Sequence, residues 1–221
     1  MEVRQRWKSI NYKYEPTKFK GIKCQPFEKY IFILIMEAEN FVTELKKLSP
    51  PKSAYLNLGY PPSLAAEKLK AYECMSLNTK ELSHQYFGNN VLLELLCNYN
   101  CSKIEIGVVS FVEKLVEVED YYIIGNVEAD ILALNKLTLE VEVLDHENLD
   151  WTIWSCAANS EYFLNAILKC AEYFNKTICS NELSENSAFT YEYVLQCSDK
   201  AGGDKYIEFY KMLLGYDIIP N

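Results

Sequence analysis

YYIIGNVEADILALNKLTLEVEVLDH, residues 121 to 146, decides the fold. Tyr121 to Ile124 is a run of aromatic and β-branched residues with strand character, and Gly125 reads as the corner that stops it. Asp130 to Asn135 and Glu140 to Leu144 follow as two further strand-length segments, joined through Lys136-Leu137-Thr138. In the last of them Val141 and Val143 alternate with Glu140 and Glu142, the period of two expected of a sheet with one wet face. The stretch predicts an antiparallel meander. On this reading Val141, Val143, Ile131 and Ala133 point into a core, and Glu140 and Glu142 point to water.

The same region carries the charge of the chain. Between Glu113 and Asp150 stand eleven carboxylates against Lys114 and Lys136, a net of −9 that equals the formal charge of all 221 residues. The remainder, with 20 acidic and 20 basic side chains, sums to zero, so the acidity is local. Like charges so crowded repel one another, a cost that a cationic partner would offset. The expected partner-facing residues are Glu117, Glu119, Asp120, Glu128, Asp130, Glu140, Glu142, Asp145 and Glu147.

Outward from this centre, 221 residues with 49% hydrophobic content can bury one sizeable core. The longest uninterrupted apolar run, Tyr30 to Met36, is far short of the ~20 residues that cross a bilayer, so no membrane partner is expected. Arg4, Arg6 and Lys8 are followed by no apolar stretch with a cleavage site, which predicts a cytoplasmic protein. In that compartment the eight cysteines are expected as free thiols. Residues 1–26 form a basic arm with Trp7, Tyr12 and Tyr14 interleaved. It reads as a segment lying on the protein's own surface; direct nucleic-acid binding is not expected, because the rest of the chain would repel phosphate.

Helical spacing runs through Leu34, Phe41, Val42, Leu45 and Leu48, and Ser49-Pro50-Pro51 ends it. Pro51 to Pro62 reads as a loop, Ser63 precedes a short helix over LAAEKLKAYE, and Asn89 or Asn90 caps a helix from Val91 to Asn98. Lys103 to Val109 alternates as an edge strand, while Ser110 to Glu119 is either a helical turn or an extended lead-in to Tyr121. The clearest helix covers Ser155 to Asn175, with Phe163, Leu164, Ile167, Leu168, Ala171 and Phe174 on one stripe. A further helix is read around Tyr191 to Gln196, Gly202-Gly203 is a break, and Asp204 to Leu214 resumes helical spacing before Gly215.

Motifs of chemistry are few. Cys97-x3-Cys101 lacks the further Cys or His that zinc would need, since the only histidines are His84 and His146. Asp145-His146-Glu147, with Asp130 or Glu128, places acid–base groups at a strand end, yet no catalytic or phosphate-binding fingerprint accompanies them. They read as a solvated strand terminus. No catalytic residue, metal or cofactor is expected.

The strand Tyr121 to Gly125, the Asp130 strand, the segment from Glu140 to Glu147, and the Trp, Ser and helix that follow resemble the core of the SUKH superfamily. The resemblance spans roughly residues 60 to 175 and is carried by Gly125, Asp130, Val141, Asp145, Trp151, Ser155 and Phe163. It departs at Leu139, where such proteins usually place Gly in the hairpin turn; the turn must avoid positive φ there or accept strain. Pattern and resemblance together predict an α+β fold: one antiparallel sheet of about five or six strands, with helices mainly on one face. The core is expected over 27–175, with 176–221 as a helical appendage of the same domain. The superfamily includes bacterial immunity proteins and fungal cell-wall regulators. The resemblance therefore implies a non-enzymatic immunity protein that binds and neutralises a protein toxin, or alternatively a regulatory interaction scaffold, and the local acidity points to a basic toxin.

Overall fold

Alternating apolar residues make a sheet only when successive strands can pair, and the short links of residues 109–157 allow that. The computed structural model describes residues 36–77 and 90–216. The basic arm, Leu34, Cys24, His84 and Asn89 lie outside the described residues.

Among the described residues three helices come first: α1 (Ala38–Lys47), α2 (Lys52–Asn57) and α3 (Pro62–Leu69), the last running into a 3-10 turn at Lys70–Tyr72. Strand β1 (Met75–Ser76) and, after helix α4 (Val91–Asn98), strand β2 (Tyr99–Asn100) form a two-stranded ladder. The main sheet follows as β3 (Glu105–Ile106), β4 (Val109–Glu117), β5 (Tyr121–Val127), β6 (Asp130–Asn135), β7 (Val141–Leu144) and β8 (Thr152–Ala157). Its six strands lie in chain order, each antiparallel to the next. Helices α5 (Ser160–Cys179), α6 (Asn181–Ser184), α7 (Ser187–Ala201) and α8 (Ile207–Leu213) complete an α+β fold of the class the sequence predicts.

Capping fixes where the helices begin. The Asn90 carboxamide accepts from the amides of Leu92 and Leu93, so Asn90 rather than Asn89 is the cap of α4. Asn159 and Asn186 do the same for α5 and α7, and Gly202, at φ 117°, ends α7. Phe163, Leu164, Ile167, Cys170 and Ala171 of α5 are fully buried against Leu132, Leu134, Val141 and Val143 in one core, which Phe111 joins with its ring 6.4 Å from that of Phe163. Each large side chain so buried contributes roughly 1.5–3 kcal/mol. The C-terminal helices protect the edge of β8: the Ala158 amide donates to Ala201 O and the Tyr210 hydroxyl to Cys156 O, both at 2.9 Å.

Several sequence expectations are corrected. Residues 103–109 are not one strand, because Gly107 turns the chain at φ 62° between β3 and β4. Residues 110–119 take the extended alternative. Gly125 lies inside β5 instead of stopping it: an added Cβ would meet Ser110 O at 2.1 Å, so the β4 backbone passes where a side chain would be. In β6 the faces are exchanged. Leu132 and Leu134 pair with Val143 and Val141 and face the core, while Ile131 and Ala133 pair with Leu144 and Glu142 on the other side. The Pro51–Pro62 stretch holds α2, and Ser155 belongs to β8, with the long helix starting at Ser160.

Candidate partner-binding surface

The register of an antiparallel meander sends alternate turns to opposite ends of the sheet. The turn between β4 and β5, the hairpin between β6 and β7, and hence Glu117, Glu119, Asp120 and Glu140 lie at one end. The hairpin between β5 and β6 and the loop between β7 and β8 carry Glu128, Asp130, Asp145, Glu147 and Asp150 at the other, about 20 Å away along β5. Glu142 sits between them. The nine expected residues are therefore not one patch.

At the first end two of the four charges, Glu117 and Glu140, are answered internally. Lys136 Nζ donates to Glu117 Oε1 at 2.7 Å and to Glu119 O at 3.2 Å, and lies 5.0 Å from the centre of the Tyr122 ring. The hairpin that holds Lys136 accepts strain, since Leu139 takes φ 64°. Asn135 holds it, its Oδ1 accepting from the Leu137 and Thr138 amides and its carbonyl from Leu139 N. Beside it, Lys205 Nζ and the Tyr206 hydroxyl converge on Glu140 Oε1 at 2.5 and 2.9 Å. Burial acts to raise the Glu140 pKa, but these two hydrogen bonds and the Lys205 charge outweigh it and hold the carboxyl below its usual value.

Glu142 overturns its expected exposure. It is 9% exposed, between Ala133 and Ser155 on the neighbouring strands, and among the described residues its Oε2 has no hydrogen-bond partner. Burial is the main reason its pKa is raised and the Glu140 charge adds to this, against hydrogen bonding from Asn135 and Tyr121 and the charge of Lys205. Reversing Glu140 or Glu142 to Lys would thus disturb packing and ion pairing rather than decorate a wet face.

The second end is bare. Asp130 Oδ1 accepts from His146 Nδ1 at 2.9 Å, and this bond is the main cause that lifts the imidazole above its ordinary pKa. Asp145 Oδ1 accepts from the amides of Glu147 and Asn148, and the Asp145 amide donates to Trp151 O, so the loop is wound locally with its outer side chains outside. Glu128 holds φ 53° at the tip of the other hairpin. Among the described residues no Lys or Arg forms an ion pair with Glu128, Asp130, Asp145, Glu147 or Asp150. In the loop between β7 and β8, Trp151 is 65% exposed and Leu149 36%. Sequence reasoning missed this indole as a surface anchor; its signal was two large apolar residues flanking Asp150 in a polar loop.

Chemically, the imidazole has Glu147 Oε1 4.0 Å from its Nε2, and among the described residues no hydroxyl or thiol is hydrogen-bonded to it. Nor do the described residues gather three or more His, Cys, Asp or Glu about a point where a metal could sit. A cleft of about 660 Å³ reaches Glu128 from the side of α3 and β3, lined by Lys68, Lys70, Lys103, Glu67 and Glu105, with Lys68 paired to Glu105 at 3.4 Å. What the bare end presents is fixed negative charge and an exposed aromatic ring. Comparison with family models, curated proteins and solved structures found no match to this chain.

Proposed function

We propose that this protein is a cytoplasmic, non-enzymatic immunity protein that binds and neutralises a basic protein toxin through the bare end of its sheet. The observation that carries the reading is five carboxylates that, among the described residues, form no ion pair with Lys or Arg, at the end of the sheet where Trp151 is exposed. Such a surface attracts a cationic partner from a distance, and a Trp on it supplies the desolvated contact on which interface energy concentrates. Toxin nucleases are basic because they must hold phosphate, and an acidic surface suits the groove of such an enzyme. The SUKH resemblance of residues 60–175 supports the same reading.

The test is co-expression with the product of the neighbouring gene, followed by purification through a tag on one partner. The expected result is a stable complex whose affinity falls steeply with salt, and relief of that product's toxicity. A neighbouring product that is harmless and does not co-purify would contradict the proposal and favour the regulatory scaffold.

A further inference from the structure

Two cysteines face each other across the short β1–β2 ladder. Met75 pairs with Asn100 and Ser76 with Tyr99, so the next step of the same register sets Cys74 opposite Cys101. Leu77 N donates to Asn98 O at 2.8 Å, which makes that pair a hydrogen-bonded one. Alternation then puts Cys74 and Cys101 at a non-hydrogen-bonded position, where Cα atoms stand about 4.5 Å apart and side chains are closest. That separation falls inside the span a disulfide accepts, about 4.4–6.8 Å. Interaction with the Cys101 thiol is the main cause that lowers the Cys74 pKa. Cys101 is fully buried and Cys74 half-buried, so a solute reaches one sulfur and the other waits behind it.

We propose that Cys74 and Cys101 form a dithiol that hydroperoxides oxidise to a disulfide. The Cys74 thiol gives up its proton, the thiolate attacks the peroxide, the O–O bond breaks, and Cys74 becomes a sulfenic acid while the leaving oxygen takes that proton from solvent and departs as water or an alcohol. The Cys101 sulfur then attacks the Cys74 sulfur; the S–S bond forms, the S–O bond breaks, and the released hydroxide takes the Cys101 proton as water. Two electrons pass from the thiols to the peroxide, and nothing else is consumed.

The division of roles follows from the surroundings. The lowered Cys74 pKa favours the attacking thiolate, while the same interaction and burial raise the pKa of Cys101. The fold also holds an internal control. Cys170 of α5 and Cys197 of α7 have sulfurs 3.5 Å apart, yet both are fully buried, out of reach of a dissolved oxidant. Once made, the Cys74–Cys101 bond would clasp the segment that contains α4, whose Leu92 and Leu95 lie in the core.

The experiment treats the reduced full-length protein with hydrogen peroxide, blocks remaining thiols with iodoacetamide, and maps the peptides by mass spectrometry. The expected product is a Cys74–Cys101 link reversible by dithiothreitol, with Cys170 and Cys197 recovered as thiols after denaturation. In Cys101→Ala the link is lost and dimedone traps Cys74 as a sulfenic acid. If that variant does not fold, Cys74→Ser, at a half-buried position, replaces it and should leave Cys101 reduced. Recovery of both cysteines as thiols while the exposed Cys179 is oxidised would overturn the proposal, as would a Cys170–Cys197 link forming first.

Discussion

The two ends of the sheet have similar numbers of carboxylates and different shares of them paired with a cation. At one, Glu117 and Glu140 are answered by Lys136 and Lys205, and the cations arrive from the hairpin tip and from the C-terminal helical region. At the other, Asp130 has only His146, and the neighbouring carboxylates have no Lys or Arg within ion-pairing distance among the described residues. A run of charge in sequence is therefore not yet a surface. Strand register deals it out to two places, and the rest of the chain decides which of them stays charged.

Breaking the sheet should abolish the comparison altogether. Val141 is fully buried at the centre of the core face, and Val141→Asp places an unpaired carboxylate there. A loss on the order of 3–5 kcal/mol is expected, read as a collapsed urea midpoint and altered far-ultraviolet circular dichroism. An unshifted midpoint would show that β7 is turned the wrong way.

Glu142→Gln should move stability the other way, gaining about 1 kcal/mol at pH 7, because it removes a buried charge with an orphan oxygen. The Glu142 pKa is raised on folding from 4.5, so the folded form holds its proton more tightly and the penalty exists only above that value. The gain should be full above the raised native value and vanish as the pH falls below 4.5, which denaturation at several pH values will show. A gain that persists at pH 4 would mean that packing, not charge, is its source.

Smaller effects separate the ends themselves. Glu140→Gln deprives Lys205 and Tyr206 of their shared acceptor and should cost about 0.5–1 kcal/mol, with the loss reduced in high salt. Reversing Glu147 and Asp150 to Lys should change stability by less than about 0.5 kcal/mol, since among the described residues neither belongs to an ion pair with Lys or Arg.

How much of this was legible depends on the residue. The alternation of Val141 and Val143, the Asn cap of α4 and Gly202 each carry a local cause, and the sheet, the start of α4 and the final break could be read from them, whereas the starts of α5 and α7 were not. The face of β6 could not, because Ile131, Leu132, Ala133 and Leu134 are apolar without interruption and either register hides two of them. Gly125 reads as a terminator until β4 passes 2.1 Å from where its Cβ would be, a tertiary fact. Helix α2 was hidden by the prolines around it, although Pro51 sits at a cap position where proline is tolerated. For the surface, the excess of acid was visible from composition. Its division into a partly neutralised and a bare end was not, since Lys205 stands 65 residues from Glu140.

The central claim is that the bare end, and not acidity in general, receives the partner. The direct measurement is the association rate with the co-purified partner at low salt for two double variants, Glu147→Lys with Asp150→Lys and Glu117→Lys with Glu119→Lys. The account predicts that the first pair slows association by about tenfold or more and flattens its salt dependence, while the second stays within about twofold of the unaltered protein. Equal slowing by both, or slowing by the second pair alone, would contradict it.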